Sequence, residues 1–164
     1  MTKNARSAVS LEVVERQFDR IQTFFPRIDS KVSSIFAITS GEIAVVAFIS
    51  LKNLRAWWML LPGCLFLATV AWTIYNLYRC TFPHVKRAPD SLIYFNAIAE
   101  LPREQFVERF TNASEDELKE DLARQTWQTS TIAAQKFAYL KQATLAAMLS
   151  LVPWAALLIA STFD

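Results

Sequence analysis

Hydrophobic residues along this 164-residue chain gather in three long runs, about residues 32 to 51, 56 to 78 and 143 to 162, with polar sequence before and between them. Each run is close to the ~20 residues that an α-helix needs to cross the hydrocarbon of a bilayer. The pattern therefore predicts an all-α membrane protein with three transmembrane helices. In the N-terminal arm, Leu11, Val14, Phe18, Ile21 and Phe25 recur at heptad spacing among Glu12, Glu15, Arg16 and Arg20, which predicts a short amphipathic helix that needs a partner. Pro26 suits the start of a new helix, leading through Arg27 and Lys31 into the first run.

After the second run, Pro83, Pro89 and Pro102 punctuate the chain and predict a helix from about Ser91 to Glu100 and another from Pro102 to Phe110. Ser114 with Glu117 forms a capping-box pattern. From Ser114 to Val152 there is neither glycine nor proline, so one helix of ~38 residues, roughly 57 Å, is expected to run into the third span before Pro153. The expected organisation is an N-terminal amphipathic helix over 1–31, a transmembrane hairpin over 32–78, a helical layer over 79–142 that senses a ligand, and a third span with the C-terminus over 143–164.

Charge adds orientation. Six basic residues precede the first run (Lys3, Arg6, Arg16, Arg20, Arg27, Lys31), against Lys52 and Arg55 in the turn after it. Arg79, Lys86, Arg87, Lys136 and Lys141 flank the layer that follows the second run. The excess of basic residues on cytoplasmic loops places the N-terminus and residues 79–142 in the cytoplasm. The Asn112-Ala113-Ser114 glycosylation match is then a chance one. No secretory signal is read, because the first apolar run begins only near Val32.

Composition changes the picture little: the chain is 53% hydrophobic with a net charge of +2, too small and too interleaved with acids to argue for nucleic acid as a partner. Three spans alone enclose little interior, which favours a homo-oligomer. Cys64, Cys80 and His84 stand in no metal-ligand or redox spacing. No phosphate loop, nucleophile elbow or metal-dependent hydrolase pairing is present either, so neither an enzyme nor a metal site is expected.

Several polar residues lie where apolar ones are expected. Leu118, Leu122, Gln125, Thr129, Ile132, Lys136, Tyr139 and Ala143 share one helical face. Gln125, Thr129 and Lys136 are then solvated at the seam's edge, set register between subunits, or line a ligand pocket with Lys136 placed for an anion. Ser33, Ala37 and Gly41 form a small-residue stripe suited to close helix packing. Glu42 stands mid-span, where an ionised carboxylate costs ~2.5 kcal/mol or more and must be protonated, bonded between helices or turned to a water-filled path. Pro62-Gly63 marks a kink, and Trp57, Trp58, Trp72, Tyr75 and Tyr78 read as interfacial belt residues.

Asp29-Ser30-Lys31 at the entry to the first span, the aromatic stretch Ile93 to Ala99, and the series Asp121-Leu122, Gln125, Ser130, Ile132, Lys136-Phe137 and Leu140 together resemble the Pycsar effector family. These are small membrane effectors of bacterial cyclic-nucleotide immunity, and the resemblance covers about residues 27 to 162. It implies an effector that responds to a cyclic pyrimidine nucleotide, cyclic UMP (cUMP) or cyclic CMP (cCMP), made by a partner pyrimidine nucleotide cyclase after phage infection. The effector then impairs the inner membrane, in abortive infection. On this expectation Lys31 or Lys136 meets the phosphate, Gln125 and Ser130 bond base or ribose, and Tyr94 or Phe95 stacks. Asp29, Ser33, Ala37, Gly41 and Glu42 belong to the helix contacts or the pore. A partner-triggered effector and a non-perforating scaffold are the competing readings.

Overall fold

The computed structural model describes residues 9–53, 57–83 and 90–162; the first residues of the expected N-terminal segment and residue 56 of the expected second span lie outside them. Lys3, Arg6, Arg55, His84, Lys86, Arg87 and Pro89, all invoked above, lie outside the described residues, as do the side chains of Lys52 and Trp57. Six α-helices follow in order: α1 (Leu11–Gln22), α2 (Phe24–Asn53), α3 (Leu60–Thr81) after a short 3-10 turn, α4 (Phe95–Glu100), α5 (Arg103–Asn112) and α6 (Glu115–Ala160). The chain is an all-α membrane protein: three of its helical stretches are long and apolar enough to cross a bilayer. It divides into two compact units, one of residues 1–25 and 84–133, the other of residues 26–83 and 134–164.

The prolines act differently from one another. Pro26 is the third residue of α2 and Pro62 the third of α3, positions whose missing N–H would have had no helical partner anyway. α2 accordingly starts two residues before Pro26, and Pro62 falls in the first turn of α3 instead of in its interior. Pro153 lies inside α6, which continues past it to Ala160 and reaches 46 residues, roughly 69 Å. Inside lipid no competing water is present, so the helix persists despite the one backbone bond that proline removes.

The second unit is a three-helix bundle whose two apolar clusters reveal its direction. Ile28 of α2, Cys80 of α3 and Leu140 of α6 pack together, joined by Val32, Ile35 and Tyr139. Phe66, Val70 and Leu157 form the other cluster, with Val46, Met59 and Trp154 against it. From the first cluster to the second, α2 advances from 28 to 46 and α6 from 140 to 157, while α3 runs backwards from 80 to 66. So α2 and α6 are parallel and α3 is antiparallel to both. The clusters are roughly 20–27 Å apart along the helices, close to the hydrocarbon thickness of ~30 Å.

This unit is apolar outside and partly polar inside. Phe36, Ile38, Phe48, Leu61, Leu67, Met148, Leu149 and Val152 are exposed, whereas Thr39, Glu42, Thr73, Asn76 and Ser150 are buried. That inversion fits lipid as the solvent, since burying these apolar side chains would gain nothing over contact with acyl chains. The outward hydroxyls of Ser33, Ser34 and Ser40 donate to carbonyls four residues back and so carry no bare donor into lipid.

The first unit contains α1, α4, α5 and the first turns of α6. The heptad positions Leu11, Val14 and Phe18 are half-buried on α1 and Ile21 is buried, while the residues between them are exposed. The helix expected from Ser91 begins instead at Phe95. The reason is local: the Ser91 hydroxyl accepts from the Ile93 and Tyr94 amides, and Asp121 of α6 accepts from both the Ser91 hydroxyl (2.9 Å) and the Leu92 amide (2.8 Å). Those bonds hold 91–94 as a turn, entered through Asp90 at φ 68°, a conformation that aspartate tolerates better than most residues. The second expected helix runs Arg103–Asn112 with Pro102 as its cap.

Candidate functional site

Two places gather polar side chains, one in each unit. In the first unit, Asp121's bonds to the 91–92 turn hold it against α6, and beside it lies an open groove of about 1050 Å³. Arg109 of α5 and Arg124, Gln125 and Trp127 of α6 line it. Arg109 donates to the Asp90 carbonyl at 3.5 Å, and Arg124 is paired with Glu120 one turn earlier. Gln125 is only 4% exposed, whereas the Trp127 side chain, 73% exposed, offers an open aromatic face. The groove thus combines a buried amide, a free ring face and two guanidinium groups held in weak, exposed pairs that an incoming anion can displace. Glu117, also on its lining, closes the predicted capping box: the Ser114 amide (2.8 Å) and hydroxyl (3.1 Å) donate to its carboxylate. Those two bonds hold the Glu117 carboxyl below its ordinary value, and this residue lies well before the apolar stretch of α6.

In the second unit the buried polar groups form a line between the parallel helices α2 and α6. At one end Lys136 donates to Asp29 at 2.8 Å; the lysine side chain is 8% exposed and the aspartate 60%. Further along, the Ser150 hydroxyl lies 2.9 Å from Glu42 Oε2 and 2.7 Å from the Ala147 carbonyl, so its single proton is shared between the two acceptors, with Glu42 5% exposed and Ser150 fully buried. Glu42 Oε1, Thr39 Oγ1 and Trp154 Nε1 are buried with no hydrogen-bond partner among the described residues. Each such orphan costs about 1–3 kcal/mol. Beside the Asp29–Lys136 pair, Arg79 of α3 donates to the Tyr139 hydroxyl at 2.7 Å and lies over its ring, while the buried Cys80 thiol donates to the Lys136 carbonyl.

The residues expected to bind a ligand are therefore divided. Gln125 lines the groove, in the same unit as Tyr94, Phe95 and Ser130. Ser130 gives its hydroxyl to the Thr126 carbonyl, and Tyr94 packs against an exposed Phe95 at 5.1 Å between ring centres. Lys31 and Lys136 belong to the other unit, Lys31 exposed and Lys136 buried against Asp29. Of the three explanations for the polar seam, solvation at its edge does not hold for Gln125 or Lys136, since both are buried.

Ser33, Ala37 and Gly41 are exposed, and a Cβ added at Gly41 would meet nothing within 4 Å. The small-residue stripe thus faces away from the bundle, with no close approach at Gly41 among the described residues. The inner face of α2 is Ile28, Val32, Ile35, Thr39, Glu42 and Val46 instead. Sequence reading passed over Thr39, Thr73, Asn76, Ser150 and Trp154, although their spacing from neighbouring core positions would have placed them inward. Arg124 and Trp127, three residues apart on α6, share a face that helical spacing could have shown, whereas Arg109 of α5 reaches them only through the fold.

The family model described as the Pycsar effector protein domain matches residues 13–161, nearly the whole chain. The chain belongs to the Pycsar effector family. It is an antiphage defence effector and a multi-pass membrane protein, and the transmembrane type of this family is a non-enzymatic effector type. The match takes in the heptad arm from residue 13, beyond the region that the resemblance covered. No curated protein and no solved structure matches the chain.

Proposed function

We propose that this Pycsar effector binds a cyclic pyrimidine nucleotide, cUMP or cCMP, in the groove of the first unit and then breaches the inner membrane, halting the infected cell. The groove carries the reading: it is roomy enough for a nucleotide, and among Asp90, Glu117, Glu120 and Asp121 it offers two guanidinium groups, a buried amide and an exposed aromatic ring. Trp127 stacks the base, Gln125 bonds its edge, and Arg109 or Arg124 leaves its acidic neighbour for the cyclic phosphate. Gln125 keeps its sequence-derived role, while Lys136 becomes a structural residue.

α6 supplies the route to the membrane. Its first turns line the groove and its last turns cross the bilayer, without a break from Glu115 to Ala160. A ligand that prefers one arrangement of that helix shifts the population toward it, and a hundred-to-one reversal in both directions needs ~5.5 kcal/mol of differential affinity. The exposed Ser33–Ala37–Gly41 face of α2 suits a second copy, which gives the homo-oligomer a contact. The N-terminus and residues 79–142 face the cytoplasm, where the cyclase releases its product; parallel α2 and α6 support one common side for both segments.

The test is titration calorimetry of the detergent-solubilised protein with cUMP, cCMP and cyclic AMP, beside dye release from liposomes under the same ligands. Heat and leakage confined to one cyclic pyrimidine are expected. Equal response to cyclic AMP, or binding that Trp127→Ala leaves unchanged, refutes the assignment.

A further inference from the structure

Between residues 32–48, 60–78 and 142–160, the stretches of the three helices that lie in hydrocarbon, Glu42 is the sole Asp, Glu, Lys, Arg or His. It points inward, where the lysine–aspartate pair, the Thr39 hydroxyl and the Glu42–Ser150 bond follow one another along the α2–α6 seam. Of the other buried polar groups of the bundle, Thr73 and Asn76 are satisfied by their own helix, on the Thr69 and Trp72 carbonyls, while the Trp154 indole N–H, one turn beyond Ser150, has no partner among the described residues. Glu42 and Thr39 likewise each keep a buried oxygen with no hydrogen-bond partner among the described residues. Packing alone asks for no such oxygens, and apolar side chains of similar shape would fill the same space without the penalty.

We propose that the α2–α6 seam is the closed form of a cation path, with the Glu42 carboxylate as its selecting group and the Ser150 hydroxyl as its latch. Parting α2 from α6 breaks the Ser150–Glu42 bond. Both carboxylate oxygens and the Thr39 hydroxyl then face entering water, and a carboxylate in a narrow low-dielectric channel gathers cations and repels anions. The inference rests on the reading that this protein permeabilises the membrane, and adds that the lesion discriminates by charge.

The experiment is the reversal potential of planar bilayers or liposomes holding the full-length protein under a potassium chloride gradient, activated in turn with cUMP and cCMP. The wild type is expected to pass potassium over chloride by about tenfold or more, the lower end of the enrichment that a charged lining gives. Glu42→Gln, which keeps size and hydrogen bonding but removes the charge, is expected to bring that ratio near one. A wild-type leak that does not discriminate potassium from chloride overturns the proposal, as does a Glu42→Gln leak as selective as the wild type's. Absence of leakage with both nucleotides counts against the trigger and not the path. Ser150→Ala then decides, because releasing the latch is expected to give a cation leak with no nucleotide, and vesicles that stay sealed with Ser150→Ala overturn the path.

Discussion

Replacing Asp29 by alanine removes a carboxylate partner of an ammonium group that the bundle hides almost completely, while replacing Lys136 by methionine removes the hidden charge itself. The two ends of this ion pair differ sharply in hydration, the lysine side chain 8% exposed and the aspartate 60%, so the two substitutions are not equivalent. At the observed 2.8 Å separation, the attraction is roughly 6 kcal/mol at an effective dielectric of 20 and ~1.5 in bulk water. Losing one member of a fully buried pair costs about 3–5 kcal/mol, and the hydration of Asp29 lowers that to ~2–3 for Asp29→Ala. Lys136→Met strands only a carboxylate that water already reaches, and methionine fills the space of the lysine stem, so the cost is ~0–1 kcal/mol. Thermal unfolding in detergent, followed by circular dichroism, should show Asp29→Ala lower by about 4–10 °C and Lys136→Met near the wild type. The double variant should recover most of the loss, since no charge remains to strand. If Lys136→Met unfolds at or below the temperature of Asp29→Ala, or if the double variant is worse than either, the buried ammonium is not the unfavourable element and the argument fails.

The groove makes a second prediction. Trp127→Ala, at a side chain 73% exposed, should change stability by less than about 0.5 kcal/mol, while lost base stacking of ~1–3 kcal/mol should weaken nucleotide binding about fivefold to a hundredfold in calorimetry. Gly41→Leu should leave the single chain folded, because nothing lies within 4 Å of the added Cβ, yet should reduce oligomer yield in chemical crosslinking if a second copy packs there. Glu117 predicts a pH effect whose sign is fixed: its carboxyl is held below the ordinary 4.5, so the capping box stabilises the folded state above that value. That contribution disappears as pH falls through the lowered folded-state value, and Glu117→Ala should flatten the acid limb of a helicity titration.

What the sequence revealed follows the range of the physics involved. The three spans, the capping box at Ser114 and the uninterrupted α6 were legible because each depends on residues within one helix. So was the inward face of α6, where Gln125 and Lys136 are buried as their spacing requires. The partner of Asp29 was not legible, because Lys31, Lys136 and a neighbouring chain all offered suitable chemistry and only the parallel register of α2 and α6 selects Lys136. The stripe of Ser33, Ala37 and Gly41 was legible as a packing face but not as to its partner, because small side chains suit packing within a chain as well as between chains. The early start expected for α4 failed on one residue, since capture of two amides by the Ser91 hydroxyl competes directly with helix formation.

The parallel register also orders events during synthesis. Asp29 and Lys136 are 107 residues apart in the chain, and Glu42 and Ser150 are 108 apart. The second of these contacts cannot exist until the third span has left the ribosome and entered the bilayer. The hairpin of α2 and α3 must therefore wait in the membrane with Glu42, the carboxylate of its apolar stretch, uncovered, and arrival of α6 is what closes it. A nascent chain stalled before residue 150 would expose Glu42 to whatever the insertion machinery offers, so the final helix is as much the last step of biogenesis as it is a part of the bundle.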